Sequence, residues 1–134
     1  MLYNQYMDVK KKKKLSDLKS IILNEGEVLF KEGMQPQGIY YIKEGTLEAS
    51  VSDPINGKER KVGNLSSGEL VGEMSYLDEH PRCATVTAVL RSVLVEIPEK
   101  NFRDTVNSQP PWFRTLIKVL VTRLRNTNSK SFHI

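Results

Sequence analysis

The strongest constraint on this chain is a series of short apolar runs cut by glycines. Val28-Leu29-Phe30, Ile39-Tyr40-Tyr41-Ile42 and Thr46 to Val51 are three to six residues long, with Gly33, Gly38 and Gly45 between them. Runs of that length, rich in β-branched and aromatic residues, suit strands and are too short for helices. Asp53-Pro54-Ile55-Asn56-Gly57-Lys58 holds an Asn-Gly pair that favours a tight hairpin turn, so Glu59 to Asn64 is expected to return antiparallel. Ser66-Ser67-Gly68-Glu69 reads as a loop, and Cys83 to Leu90 and Ser92 to Ile97 as two more strands joined tightly at Arg91. Many short strands with glycine-rich turns predict an antiparallel β sandwich or jelly-roll barrel.

Helices are expected only at the ends. Leu15, Leu18, Ile21 and Ile22 recur at helical spacing, with Ser16 or Asp17 able to cap, which predicts a short N-terminal helix. After Pro98 the period changes again. Glu99 to Asn107 predicts a short helix, Ser108-Gln109-Pro110-Pro111 a break, and the residues to about Asn126 a longer helix. On that second helix Trp112, Phe113, Leu116, Ile117, Val119, Leu120, Val121 and Leu124 cover an arc of roughly 200°. One core-facing stripe needs little more than about 100°. Phe113, Ile117, Leu120 and Leu124 form an a/d-like seam, so the helix is expected to touch both its own barrel and a second copy of itself in a two-fold dimer.

The organisation that follows is a polar lysine-rich tail at 1–14, a β-roll at 15–97, hinge and lid helices at 98–128 and a tail at 129–134. With 134 residues, one domain is expected. The net charge of +4 comes from Lys10 to Lys14: removing those five lysines leaves 4 − 5, about −1. Basicity confined to one tail argues against a DNA-reading face, and no specific nucleic-acid partner is expected. No apolar run is long enough to span a bilayer, and the N-terminus lacks the apolar core of a signal peptide. A single cysteine excludes an internal disulfide and fits a reducing, cytoplasmic setting.

One stretch, residues 71–86, suggests a chemistry. Gly72 lets backbone approach a ligand closely, and Glu73 follows it directly. Between Glu73 and Leu77 there is room for about one helical turn, whose free N–H groups favour an anion. Arg82, after Pro81, adds a planar fork suited to phosphate oxygens, while Glu73 can accept from sugar hydroxyls. Singly, Glu73 reads as a cap and Arg82 as a surface residue paired with Asp78 or Glu79. Together they describe a pocket for a ligand carrying both a phosphate and a diol.

This stretch resembles the phosphate-binding cassette of cyclic nucleotide-binding domains, the superfamily of the catabolite activator protein and the protein kinase A regulatory subunit. That pattern runs Phe-Gly-Glu, an apolar residue, Ala-Leu, an apolar residue, three variable positions and Pro-Arg-x-Ala. Gly72, Glu73, Met74, Leu77, Pro81, Arg82 and Ala84 fall in register, while Val71, Ser75 and Tyr76 replace the usual Phe, Ala and Leu. The segments 26–33 and 39–45 resemble the family's entry strand and the strand and turn after it.

The resemblance implies a jelly-roll barrel with helices behind it, binding a cyclic nucleotide and signalling by movement of those helices. It places the ribose 2′-hydroxyl on Glu73, next to Gly72, and the cyclic phosphate on Arg82 and the backbone around Cys83 and Ala84. The long C-terminal helix resembles the dimer and lid helix of the catabolite activator protein family, which makes Thr127 and Asn128 purine-contact candidates. Val62 and Val71 fall near base-lining positions and suit core strand positions equally well. A threonine after the arginine goes with cGMP preference in the family; Cys83 supplies no such cue, which favours cAMP over cGMP. The chain ends where relatives begin a DNA-binding winged helix, so it reads as a stand-alone sensor or an excised piece acting through an unknown downstream partner.

Neither a catalytic group nor a metal site is expected. Ser75 has no histidine at a suggestive spacing, and His80, His133 and Cys83 are too scattered for a metal. The alternative to a sensor is a dimerising scaffold that keeps the fold with an unused pocket, against which the intact Glu73 and Arg82 argue.

Overall fold

The computed structural model describes residues 17–73 and 80–127, with the side chains of 124–127 excepted. Among the described residues, eight strands form two four-stranded sheets. They are β1 (Ser20–Leu23), β2 (Val28–Phe30), β3 (Gly38–Glu44), β4 (Thr46–Ser52), β5 (Glu59–Ser66), β6 (Leu70–Val71), β7 (Thr85–Ala88) and β8 (Ser92–Pro98). One sheet has the order β1-β8-β3-β6 and the other β2-β7-β4-β5, with every pairing antiparallel. Neighbours so far apart in sequence make this the expected jelly roll, mainly β with helices behind it.

The core lies between the sheets. Strand alternation turns Ile42 and Leu94 inward from one sheet and Leu47, Ala49 and Val86 from the other, all with no exposed surface. Each of these aliphatic side chains larger than alanine contributes about 1.5–3 kcal/mol through burial. Ser92 is a polar residue buried as completely as these. Its buried hydroxyl donates to the Leu90 carbonyl at 2.9 Å and accepts from the Thr46 N–H at 3.2 Å, closing the turn before β8.

Several local expectations change. Ile21 and Ile22 belong to β1, paired with Leu94 and Val93 of β8, rather than to a helix. Tertiary pairing of a β-branched doublet overrides the helical spacing there; the part of that reading before Asp17 falls outside the described residues. Asn56-Gly57 does not make a two-residue turn. The last pair across the β4–β5 hairpin is Ser52 with Glu59, and the Asp53 carboxylate accepts from the Ile55 and Asn56 N–H groups to shape a wider loop. The strand expected over Cys83 to Leu90 shortens to β7, because the chain before it pairs elsewhere. β6, too short to show a pattern, was not anticipated.

Helix α1 (Glu99–Asn107) follows β8 directly, and α2 (Pro111–Thr127) follows after a short break. Glu99 donates its N–H to the Gln37 carbonyl at 3.3 Å, and Glu99 and Arg103 pair one turn apart. α1 buries none of its residues fully. On α2, Phe113 and Ile117 are half-buried, whereas Trp112, Leu116, Val119 and Leu120 are exposed. No helix among the described residues is long and apolar enough to cross a membrane.

Candidate functional site

The site is built where β6 delivers Gly72 and Glu73 beside the segment that carries Arg82. Val71 pairs with Tyr40 of β3, which fixes the direction in which the chain leaves the sheet. Gly72 then takes φ +87°, the left-handed region that glycine enters without steric cost. A Cβ there would lie 2.2 Å from the Arg82 Nη1, so the position needs glycine for space as well as for conformation.

Arg82 is held on every side. Its backbone N–H donates to the Met34 carbonyl at 2.8 Å, and its carbonyl accepts from the Gly33 N–H at 2.7 Å. These two bonds tie it to the β2–β3 loop and explain why β7 starts only at Thr85. Arg82 is 3% exposed. Nη1 donates to the Gly72 carbonyl at 2.9 Å and Nη2 to the Gly38 carbonyl at 2.6 Å. The guanidinium carbon stands 4.1 Å from the centroid of the Phe30 ring. Burial pulls the guanidinium below its ordinary pKa, with Tyr40, Cys83 and Glu73 opposing.

Glu73 is half-buried, and its Oε2 is buried with no hydrogen-bond partner among the described residues. Burial pushes its carboxyl above the ordinary value; a backbone hydrogen bond and Arg82 oppose that rise, and Glu69 adds to it. Tyr40 lies nearby, with its ring centroid 6.3 Å from that of Phe30. Burial, helped by Glu96, pushes its phenol up and keeps it neutral next to the arginine. A carboxylate oxygen with no hydrogen-bond partner among the described residues and a buried guanidinium therefore share a small polar interior at the edge of the core.

The structure brings together Gly72, Glu73, Arg82, Cys83 and Ala84. Cys83 is exposed and Ala84 fully buried. Val71 is a fully buried member of the core, and Val62 packs against it partly buried. Met74 and Leu77, the helical turn expected after Glu73, and Asp78 and Glu79 fall outside the described residues, as do Asn128 and the side chains of Leu124 and Thr127. Phe30 and the Gly38 carbonyl were not anticipated as parts of the site. No linear spacing links them to Arg82, and only the crossing of strands from both sheets makes them neighbours.

With this geometry in hand, the comparisons with known proteins agree. A family model described as the cyclic nucleotide-binding domain matches residues 21–109. The lysophospholipase nte1 of Neurospora crassa is 30% identical over 108 residues, covering 81% of this chain and 7% of that protein. The Aspergillus terreus lysophospholipase nte1 is 29% identical over 109 residues, with the same coverage. The chain thus spans a small fraction of the length of the curated relatives it matches. Among solved structures, the catabolite activator protein of Thermus thermophilus superposes with a TM-score of 0.70 at 27% identity, over 94% of this chain and 57% of that one. The EAL enzyme Bd1971 in its cAMP-bound form gives 0.69 at 25% identity, over 84% of this chain and 29% of that one. A family match over most of the chain, two sheets in the right order and an intact Gly72-Glu73…Pro81-Arg82-x-Ala84 pattern lead to one assignment: the chain belongs to the cyclic nucleotide-binding domain family.

Proposed function

We propose that this domain is a sensor that binds a cyclic nucleotide, cAMP in preference to cGMP, and reports its presence through its C-terminal helices. The observation that carries this reading is the buried Glu73 Oε2, which has no hydrogen-bond partner among the described residues and is set beside a buried arginine. An unsatisfied buried acceptor is costly, and a ribose hydroxyl donating to it would remove that cost. The Arg82 fork suits the equatorial oxygens of a cyclic phosphate, with the backbone around Cys83 and Ala84 completing the cradle. Thr127 and Asn128 of the lid, with Val62 and Val71, remain the candidates for the base. Solved neighbours in cAMP-bound and cGMP-bound forms of Bd1971 support the ligand class.

Signalling follows from how loosely the helices are attached. α1 has no fully buried residue, so a ligand that contacts it can shift its position at small cost. The exposed apolar residues of α2, Leu120 among them, support a homodimer along the seam of Phe113, Ile117, Leu120 and Leu124, in which Phe113 and Ile117 are half-buried, with a downstream protein partner receiving the change. The domain itself performs no catalysis in this reading, and any enzymatic activity belongs to proteins that carry such domains.

Calorimetric titration with cAMP and with cGMP, after stripping carried-over nucleotide, tests this directly. Micromolar or tighter binding, weakened at least tenfold by Glu73→Ala, is expected. A folded protein that takes up neither nucleotide would overturn the reading.

A further inference from the structure

We propose that Phe30 is a positioning residue for the ligand: its ring face holds the Arg82 guanidinium in one plane, ready for a phosphate before one arrives. This rests on the cyclic nucleotide reading above and adds a residue outside the cassette to it. A guanidinium on a long side chain loses rotamer entropy when it must be fixed on binding. Here that loss is taken during folding. The Gly72 and Gly38 carbonyls fix two edges of the group at 2.9 and 2.6 Å, and Phe30 covers one face at 4.1 Å. Carbonyls in the guanidinium plane still leave it free to tilt; a ring against its face removes that freedom.

The local backbone is arranged to put the ring there. Val28 pairs with Thr87 and Phe30 with Val86, so two steps along β2 match one along β7. That bulge leaves Leu29 without an opposite partner and breaks the alternation. Leu29 packs against the core half-buried, and the next residue, Phe30, is also turned in and only 5% exposed. Bulges often re-aim a side chain beside a functional site. In a regular strand one of these two consecutive side chains would point outward. The face of the ring carries the negative end of its quadrupole, which attracts a cation most strongly where water is excluded.

The test varies the charge on the ring face at constant shape. Phenylalanines carrying increasing numbers of ring fluorines are placed at position 30 of the whole chain, and cAMP affinity is measured by calorimetry beside wild type and Phe30→Leu. Thermal unfolding of each variant reports whether the fold is kept. Affinity is expected to fall stepwise with fluorination, reaching roughly threefold to tenfold at the most fluorinated ring. Phe30→Leu should fall at least as far. A purely structural role predicts flat affinity across the fluorinated series, and that outcome, in a wild type that binds cAMP, would overturn the positioning role alone. A wild type that binds no cyclic nucleotide would overturn the nucleotide reading and the phosphate role together.

Discussion

Gly72 and Arg82 occupy adjoining space so closely that a single carbon added to Gly72 would stand 2.2 Å from Arg82 Nη1. The same glycine accepts a hydrogen bond from that nitrogen through its carbonyl. The cassette glycine and its arginine are thus one unit: the glycine makes room for the guanidinium and then anchors it. An overlap with the end of an exposed side chain would be relieved by rotation. Arg82 has little freedom to rotate, being buried and held at Gly38, Gly72 and Phe30.

Gly72→Ala should therefore damage binding and stability together. Alanine at φ +87° costs about 1–2 kcal/mol before any clash, and displacing Nη1 adds a lost charge-assisted bond of about 1.5–3 kcal/mol. A clear drop in the midpoint of thermal unfolding and a loss of more than tenfold in cAMP affinity are expected. Measuring both on one preparation checks the idea; an alanine variant as stable and as tight as wild type would show that the arginine moves aside freely.

Arg82 has a structural task that a cassette arginine read from sequence would not reveal. Arg82→Ala leaves the Gly72 and Gly38 carbonyls without their donors and opens a void beside Phe30. Each buried unsatisfied group costs about 1–3 kcal/mol, so urea denaturation should show a loss of about 3 kcal/mol or more without any nucleotide present. Loss of binding in that variant alone would be ambiguous. Arg82→Lys, which keeps the charge but cannot serve both carbonyls with a planar fork, should be intermediate in both stability and affinity.

Much of this was legible in the sequence, and the omissions have physical causes. Gly72, Glu73 and Arg82 could be found because they lie within one short segment with fixed spacing. The strands β2, β3, β4, β5 and β8 and both C-terminal helices announced themselves by period and by glycine or proline punctuation. Ile21 and Ile22 did not: a four-residue strand whose partner is β8, far along the chain, leaves no local pattern to outweigh a chance helical spacing. The inward turn of Phe30 depends on a register shift against β7. Such a shift belongs to the pairing of two strands, not to either strand's own residues.

Glu73 gives a pH dependence whose sign can be worked out. Burial raises its carboxyl in the folded protein, with Glu69 adding to the rise and Arg82 opposing it. Between the ordinary carboxylate pKa and the raised one, the folded state holds more protons than the unfolded state, so stability falls as pH rises through that window. Above the window the free protein carries a buried charge whose Oε2 has no hydrogen-bond partner among the described residues. Glu73→Gln should raise the unfolding midpoint of the free protein at neutral pH. That gain should shrink as pH drops below the window, where wild-type Glu73 is itself neutral. cAMP affinity should fall in the same variant at neutral pH, because the amide is a weaker acceptor than the carboxylate. Unfolding midpoints from acid to neutral pH, with and without cAMP, check both halves; a variant less stable than wild type throughout would mean the carboxylate is stabilised by groups other than those named.

The long helix α2 presents an apolar surface to solvent. Trp112 is 68% exposed and Leu120 49%, with Leu116 and Val119 also exposed on α2. Apolar residues in that density on one helix mark a contact surface, and the seam of Phe113, Ile117, Leu120 and Leu124 repeats at coiled-coil spacing, which a second copy would match. Wild type is expected to run as a dimer in light scattering at micromolar concentration. Leu120→Asp, which places a charge in the seam, should give a monomer that still melts cooperatively. If the lid helix of one subunit also closes the pocket of the other, the same variant should bind cAMP more weakly; unchanged affinity in the monomer would mean that each barrel binds alone and that dimerisation serves only to transmit the signal. A wild type that is already monomeric would assign the apolar face of α2 to a different partner.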